Sequence, residues 1–163
     1  MKKVFVMFLM LFSTTMICAQ ALPGVLSIKD ALVIYKTGET QKLIALGYEF
    51  YCFDYDVDYN VWAKNCDYSE DTHEVVSFGK GTSSLVRLPG SNNDVIITVF
   101  NKAAFLKLKG QITALGYKMT DKWGSSSGNS FEVYTQKGSP QITASDESGD
   151  NGNMPYNITI SNN

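Results

Sequence analysis

The chain has 163 residues, 44% of them hydrophobic and 18% charged, with 14 Lys and Arg against 16 Asp and Glu and a formal charge of −2. That length supports one domain, or two very small ones sharing a core. A mildly acidic chain without a basic run lacks the electrostatic footprint for nucleic acid and the charge to hold an anionic membrane surface.

Residues 1–21 read as an export signal. Lys2 and Lys3 form the positive start, residues 4–12 the apolar stretch, and Ala19-Gln20-Ala21 a small-residue cleavage site. Ser13, Thr14 and Thr15 interrupt the apolar run and leave it too short to span a bilayer, so no membrane span is expected after cleavage. The signal is of the Gram-negative bacterial type and predicts a periplasmic or extracellular protein. Cys18 follows Ile17, where a lipid-attachment signal wants a small residue. Removal of the segment takes two Lys and no acid with it and moves the formal charge to −4.

Ser27 is a candidate N-cap, after which Ile28, Ala31, Leu32 and Tyr35 share one helical face. Gly38 interrupts the pattern, and a second short helix through Leu43 and Leu46 stops at Gly47. The period then changes to two, predicting strands over 48–55, 61–66, 73–78, 84–88 and 95–100. Asn101 caps a third predicted helix presenting Phe105, Leu108, Ile112 and Leu115, with Gly116 as its stop. Strands are expected over 117–123, 130–135, 141–144 and 156–160. A mobile loop rich in Ser, Asp, Gly and Asn is expected over 145–153.

Three segments recur in order. Leu43-Ile44-Ala45-Leu46-Gly47-Tyr48 returns as Ile112-Thr113-Ala114-Leu115-Gly116-Tyr117, Val76 to Gly81 returns as Val133 to Gly138, and Ile97-Thr98-Val99 returns as Ile158-Thr159-Ile160. This predicts an α+β tandem repeat, each copy a helical segment followed by an antiparallel sheet of about four strands, with the helices packed on one sheet face. Residues 22–100 form the first copy, with an extra hairpin, and 101–163 the second, the two making one compact domain.

After export, two cysteines remain. Cys52 and Cys66 are equidistant from Tyr59, so a turn through Asp58-Tyr59-Asn60 would set them opposite each other, and an oxidising compartment favours a disulfide. A single His and no Cys-x-x-Cys leave a metal shell underfilled, and no cofactor is expected.

The two Leu-Gly-Tyr triplets, at 46–48 and 115–117, and the two Lys-Gly turns, Lys80-Gly81 and Lys137-Gly138, resemble the beta-lactamase-inhibitor-protein-like fold and its periplasmic PepSY-like relatives. The resemblance implies an eight-to-nine-stranded concave sheet with helices behind it and, in the inhibitor, a concave face that grips another protein. One cysteine pair rather than one per repeat, and the extra hairpin, depart from the inhibitor.

Alternation along 48–55 places Tyr48, Phe50, Cys52 and Asp54 on one face, read as facing the helices, and Tyr51, Phe53 and Tyr55 on the other. Those three, with Trp62, are the candidate partner-binding residues, because open aromatics mark binding surfaces. The alternative is that they are core, since strands buried on both faces also read as apolar runs. Asp54, Asp56, Asp58 and Asn60 alternate like calcium ligands, but the sixth position is Tyr59 and the twelfth Asn65, which reads instead as a solvated acidic edge. His73 has no nucleophile motif beside it and reads as a surface histidine, and Gly79-Lys80-Gly81 reads as a hairpin turn rather than a phosphate loop. The expectation is a non-enzymatic module that binds a protein or envelope component. An inhibitor of a secreted hydrolase or protease, using a disulfide-braced hairpin, is the alternative.

Overall fold

A computed structural model describes residues 24–126, 128–146 and 155–162. The predicted export signal, Cys18, and most of the predicted 145–153 loop lie outside the described residues.

Helix α1 spans Ile28–Thr37. Ser27 caps it by accepting from the Asp30 backbone N–H, and Gly38, at φ 70°, closes it with its N–H donated to Ile34. Helix α2 spans Gln41–Ala45, and α3 spans Lys102–Ala114 with Asn101 accepting from the N–H groups of Ala103 and Ala104. No helix among the described residues is long and apolar enough to cross a membrane.

The strands are β1 (Glu49–Asp54), β2 (Tyr59–Lys64), β3 (Cys66–Ser69), β4 (Glu74–Phe78), β5 (Ser84–Pro89), β6 (Val95–Val99), β7 (Lys118–Gly124), β8 (Ser130–Thr135), β9 (Gln141–Asp146) and β10 (Tyr156–Ser161). Eight of them form one antiparallel sheet in the order β1-β2-β5-β6-β10-β9-β8-β7, and β3 and β4 form a separate two-stranded sheet.

This corrects the expected tandem repeat of helix-plus-four-strand units. The described residues are mostly sheet, with three short helices among them, and their strands do not divide into one sheet per copy. The physical reason lies at the centre. Five residue pairs, from Val95 with Ile160 to Val99 with Tyr156, join β6 to β10, so neither strand is an edge and the backbone ladder runs unbroken across the molecule. The recurring Leu-Gly-Tyr triplets report helix stops at Gly47 and Gly116, both at positive φ, and a helix stop carries no information on which strands pair.

The main core lies between α1, α3 and one sheet face. Ile28, Ile34, Leu43, Leu108 and Ile112 meet Val86, Ile97, Ile142, Ile158 and Ile160. Each such fully buried side chain stabilises the fold by about 1.5–3 kcal/mol. Two buried polar links pin the layers: Gln111 accepts the Ile28 N–H at 2.9 Å, satisfying an N–H the helix start leaves unpaired, and Tyr48 receives the Leu26 N–H at 3.2 Å while sharing a 2.7 Å hydrogen bond with Ser84. A second, smaller core of Cys52, Val61, Ala63, Tyr68 and Leu85 lies on the opposite face. Tyr68 belongs to β3, so the two-stranded sheet covers that end of the large one.

The predicted Cys52–Cys66 disulfide is absent, and both are free cysteines. The reversal between β1 and β2 occupies residues 55–58, and Asp54 faces Tyr59. Cys52 therefore lies opposite Val61, while β2 ends at Lys64 and Cys66 opens β3 opposite Phe78. A turn displaced from the expected one reassigned both partners.

Candidate functional site

Among the described residues β1 is an edge strand, bonded to β2 alone within the sheet. A bulge decides what it presents. Phe50 pairs with Trp62 and Cys52 with Val61, so Tyr51 is an extra residue without an opposite number. The bulge reverses the alternation that the sequence predicts. Before it, Phe50 shares a face with Trp62, their rings edge to face at 5.4 Å. After it, Cys52 and Asp54 turn into the smaller core instead of toward the helices, and Phe53 takes the position opposite Asn60.

The four predicted binding residues therefore divide. Tyr51 is 44% exposed and Tyr55 84% exposed. Phe53 is half-buried, with its ring 4.7 Å from that of Tyr55. Trp62 is half-buried against the main core and lines a separate cleft of about 430 Å³ with Asn60, Leu88 and Asp94, its indole Nε1 buried and without a partner among the described residues. Phe50, which the sequence reading set against the helices, is 52% exposed. The edge thus carries Phe50, Tyr51 and Tyr55, with Phe53 behind them.

The tip next to this edge is held by a buried carboxylate. Asp54 is 2% exposed, and its Oδ2 accepts the Tyr68 hydroxyl at 2.7 Å and lies 2.6 Å from His73 Nδ1. Its Oδ1 accepts the Asp56 N–H at 3.2 Å. Burial alone would raise the Asp54 carboxyl, but hydrogen bonds from Tyr68 and His73 outweigh burial and hold it below the ordinary carboxylate range. Burial, and then the Asp54 carboxylate, push the Tyr68 hydroxyl up. His73 takes the left-handed region at φ 54°, uncommon without glycine, at the end of the turn that joins β3 to β4.

An aspartate-oriented imidazole invites comparison with a nucleophile relay. Among the described residues, the polar group recorded at His73 Nε2 is the Asp56 carboxylate at 3.9 Å, and no hydroxyl or thiol bonds to it. Burial, then the charge of Glu70, pushes the Cys52 thiol up to about 11, and burial raises Cys66 as well, so neither is a thiolate at neutral pH. The cluster is arranged as a joint between the β1–β2 and β3–β4 hairpins.

Charge is concentrated here. Residues 49–78 hold eight of the sixteen acids and one of the fourteen Lys and Arg. Glu49, Asp56, Asp67, Glu70, Asp71 and Glu74 are exposed. The one cation, Lys64, donates to the Leu46 carbonyl. A cleft of about 370 Å³ opens beside the start of β1, bounded by Glu49, Tyr51, Asp67 and Phe78, with Lys64 also on its wall.

The chain matches no protein-family model, no curated protein and no solved structure.

The sequence reading missed Phe50 and the Asp54–Tyr68–His73 joint. The joint had one visible signal, a lone histidine 19 residues after a carboxylate at a strand end, but only the folded β3–β4 hairpin brings the two together.

Proposed function

We propose that the protein is an exported, non-enzymatic binding module that recognises another protein, or an envelope component, through the aromatic edge at β1. The observation that carries this reading is the exposure of Phe50, Tyr51 and Tyr55 along one free sheet edge beside a rigid acidic tip. Exposed rings supply contact area at small entropic loss, and a tip already locked by hydrogen bonds loses little further freedom when a partner docks. The raised thiols and the carboxylate opposite His73 Nε2 support a binding role over a nucleophilic one.

An inhibitor of a secreted hydrolase or protease is the second reading, and a specific feature favours it. A wedge must be preorganised, and the Asp54–Tyr68–His73 joint braces the hairpin tip where a disulfide was expected to do so.

The test is capture of envelope and secreted proteins of the source organism by the wild-type chain and by the Tyr51→Ala and Tyr55→Ala variants. Both side chains are exposed, so the variants should keep the wild-type melting temperature and lose captured protein. Equal capture by all three chains overturns the binding edge.

A further inference from the structure

Building on that binding reading, we infer the chemistry of the occupant: a cationic, extended segment of a partner protein that adds to the sheet as a new strand along β1, placing a Lys or Arg side chain in the cleft between Glu49 and Asp67.

The argument starts from the backbone. An edge strand presents unpaired N–H and C=O groups, and proteins blunt such edges with lysine, proline, bulges or a covering element. The two edges of this sheet each carry one bulge, at Tyr51 and between Met119 and Asp121, so the bulge does not distinguish them. Side chains do. β7 carries Lys118 and Lys122, whereas β1 carries neither Lys nor Pro and exposes Glu49, Phe50 and Tyr51. An added strand gains main-chain hydrogen bonds, and pockets beside the edge read its side chains.

The cleft supplies such a pocket. Two carboxylates, Glu49 and Asp67, stand with the Tyr51 ring and Phe78 around about 370 Å³, room for one long cationic side chain that can pair with an acid and lie on an aromatic face. Lys64 on the same wall donates to the neutral Leu46 carbonyl and keeps its positive charge, so it offsets one of the two carboxylates and leaves the lining with a net charge of −1. Farther along, Tyr55 and the Asp56, Glu70 and Asp71 carboxylates extend the negative field past the tip.

A second copy of the chain fits poorly. Two β1 strands paired antiparallel about a two-fold would set Glu49 of each near the acidic tip of the other, and opposed like charges destabilise strand pairing.

The test uses the purified protein and three ten-residue peptides: alternating Lys and Val, the same with Glu for Lys, and the Lys peptide N-methylated throughout, which keeps the charge and removes the backbone donors. Fluorescence anisotropy reads binding, and amide exchange reads residues 49–54. The expected result is that only the unmethylated Lys peptide binds, more weakly as salt rises, and slows exchange along β1. The double substitution Glu49→Lys with Asp67→Lys should weaken binding at least tenfold at an unchanged melting temperature. Binding of the methylated or Glu peptide with equal strength, or of no peptide, overturns strand addition. So does protection of the β1 amides before any peptide is added, which would give the edge to a second copy if the protein sediments as a dimer, or to residues 1–23 of the same chain if it does not. Tyr55→Ala separates this inference from the reading beneath it. If no peptide binds but that variant still loses captured protein, the strand-addition claim alone fails; if capture is also unchanged, both fail.

Discussion

The two ends of the large sheet use one device and arrive at different surfaces, one acidic and one of mixed charge. At the β1 end, the buried Asp54 carboxylate is satisfied by Tyr68 and His73. At the β7 end, Glu132 on β8 is satisfied by Lys109, Lys122 and Tyr134, the last two at 2.9 and 2.7 Å. Both carboxyls lie below their ordinary range. Burial alone would raise Glu132, but hydrogen bonds from Lys109, Tyr134 and Lys122 reverse the effect and bring it to about 2. The difference is in what is left over. Tyrosine and histidine satisfy Asp54 without surplus cation, so the surrounding acids dominate that edge. At the other edge two lysines share one carboxylate, and Lys118 and Lys122 are interspersed with Asp121 and approached by Asp146, so that edge carries both signs. How a buried acid is satisfied thus decides whether cations are drawn to the edge beside it.

The largest effect should come from removing the first carboxylate. Asp54→Ala leaves the Tyr68 hydroxyl and the His73 ring without their partner and should lower stability by about 3 kcal/mol in urea unfolding. It should also loosen the β3–β4 hairpin, read as faster amide exchange over residues 66–78.

Glu132→Gln should cost somewhat less, roughly 2 kcal/mol, because Lys122 is largely exposed and returns to water easily. Acid sharpens this prediction. A carboxyl held below its unfolded value confers stability that is complete above about pH 5 and lost as pH falls toward the folded value. The urea midpoint of the wild-type chain should therefore fall between pH 6 and pH 3, and that of Glu132→Gln should fall less.

Breaking the contrast between the edges is the third experiment. Lys118→Thr with Lys122→Thr removes both lysines from β7, and sedimentation velocity should then show more concentration-dependent self-association than for the wild-type chain. The smallest stability change belongs to Tyr55→Ala, whose side chain is 84% exposed; a shift within about 0.5 kcal/mol is expected.

Local punctuation was legible in the sequence. Ser27 and Asn101 cap helices, and Gly38, Gly47 and Gly116 end them, because these roles depend on neighbours within a few residues. The face of β1 was not legible. One bulged residue at Tyr51 inverts the alternation, and no composition signal marks it, which is why Cys52 and Asp54 were expected against the helices and lie in the opposite core. Asp54, Asp56 and Asp58 read as a solvated acidic edge, yet Asp54 is buried, because its cover comes from β3 and from His73. The single sheet was hidden for a related reason. Segment-by-segment similarity describes elements, whereas the pairing of β6 with β10 joins residues some sixty positions apart.

That central pairing also fixes an order of events in time. β10 follows every other strand in the chain, yet it lies in the middle of the sheet, between β6 and β9. Until β10 joins the sheet, β6 and β9 each have one side open. Contacts so distant in sequence form slowly, and the exposed central strands are vulnerable to mispairing throughout the delay. A chain of this design needs either shelter or speed at the step that inserts β10.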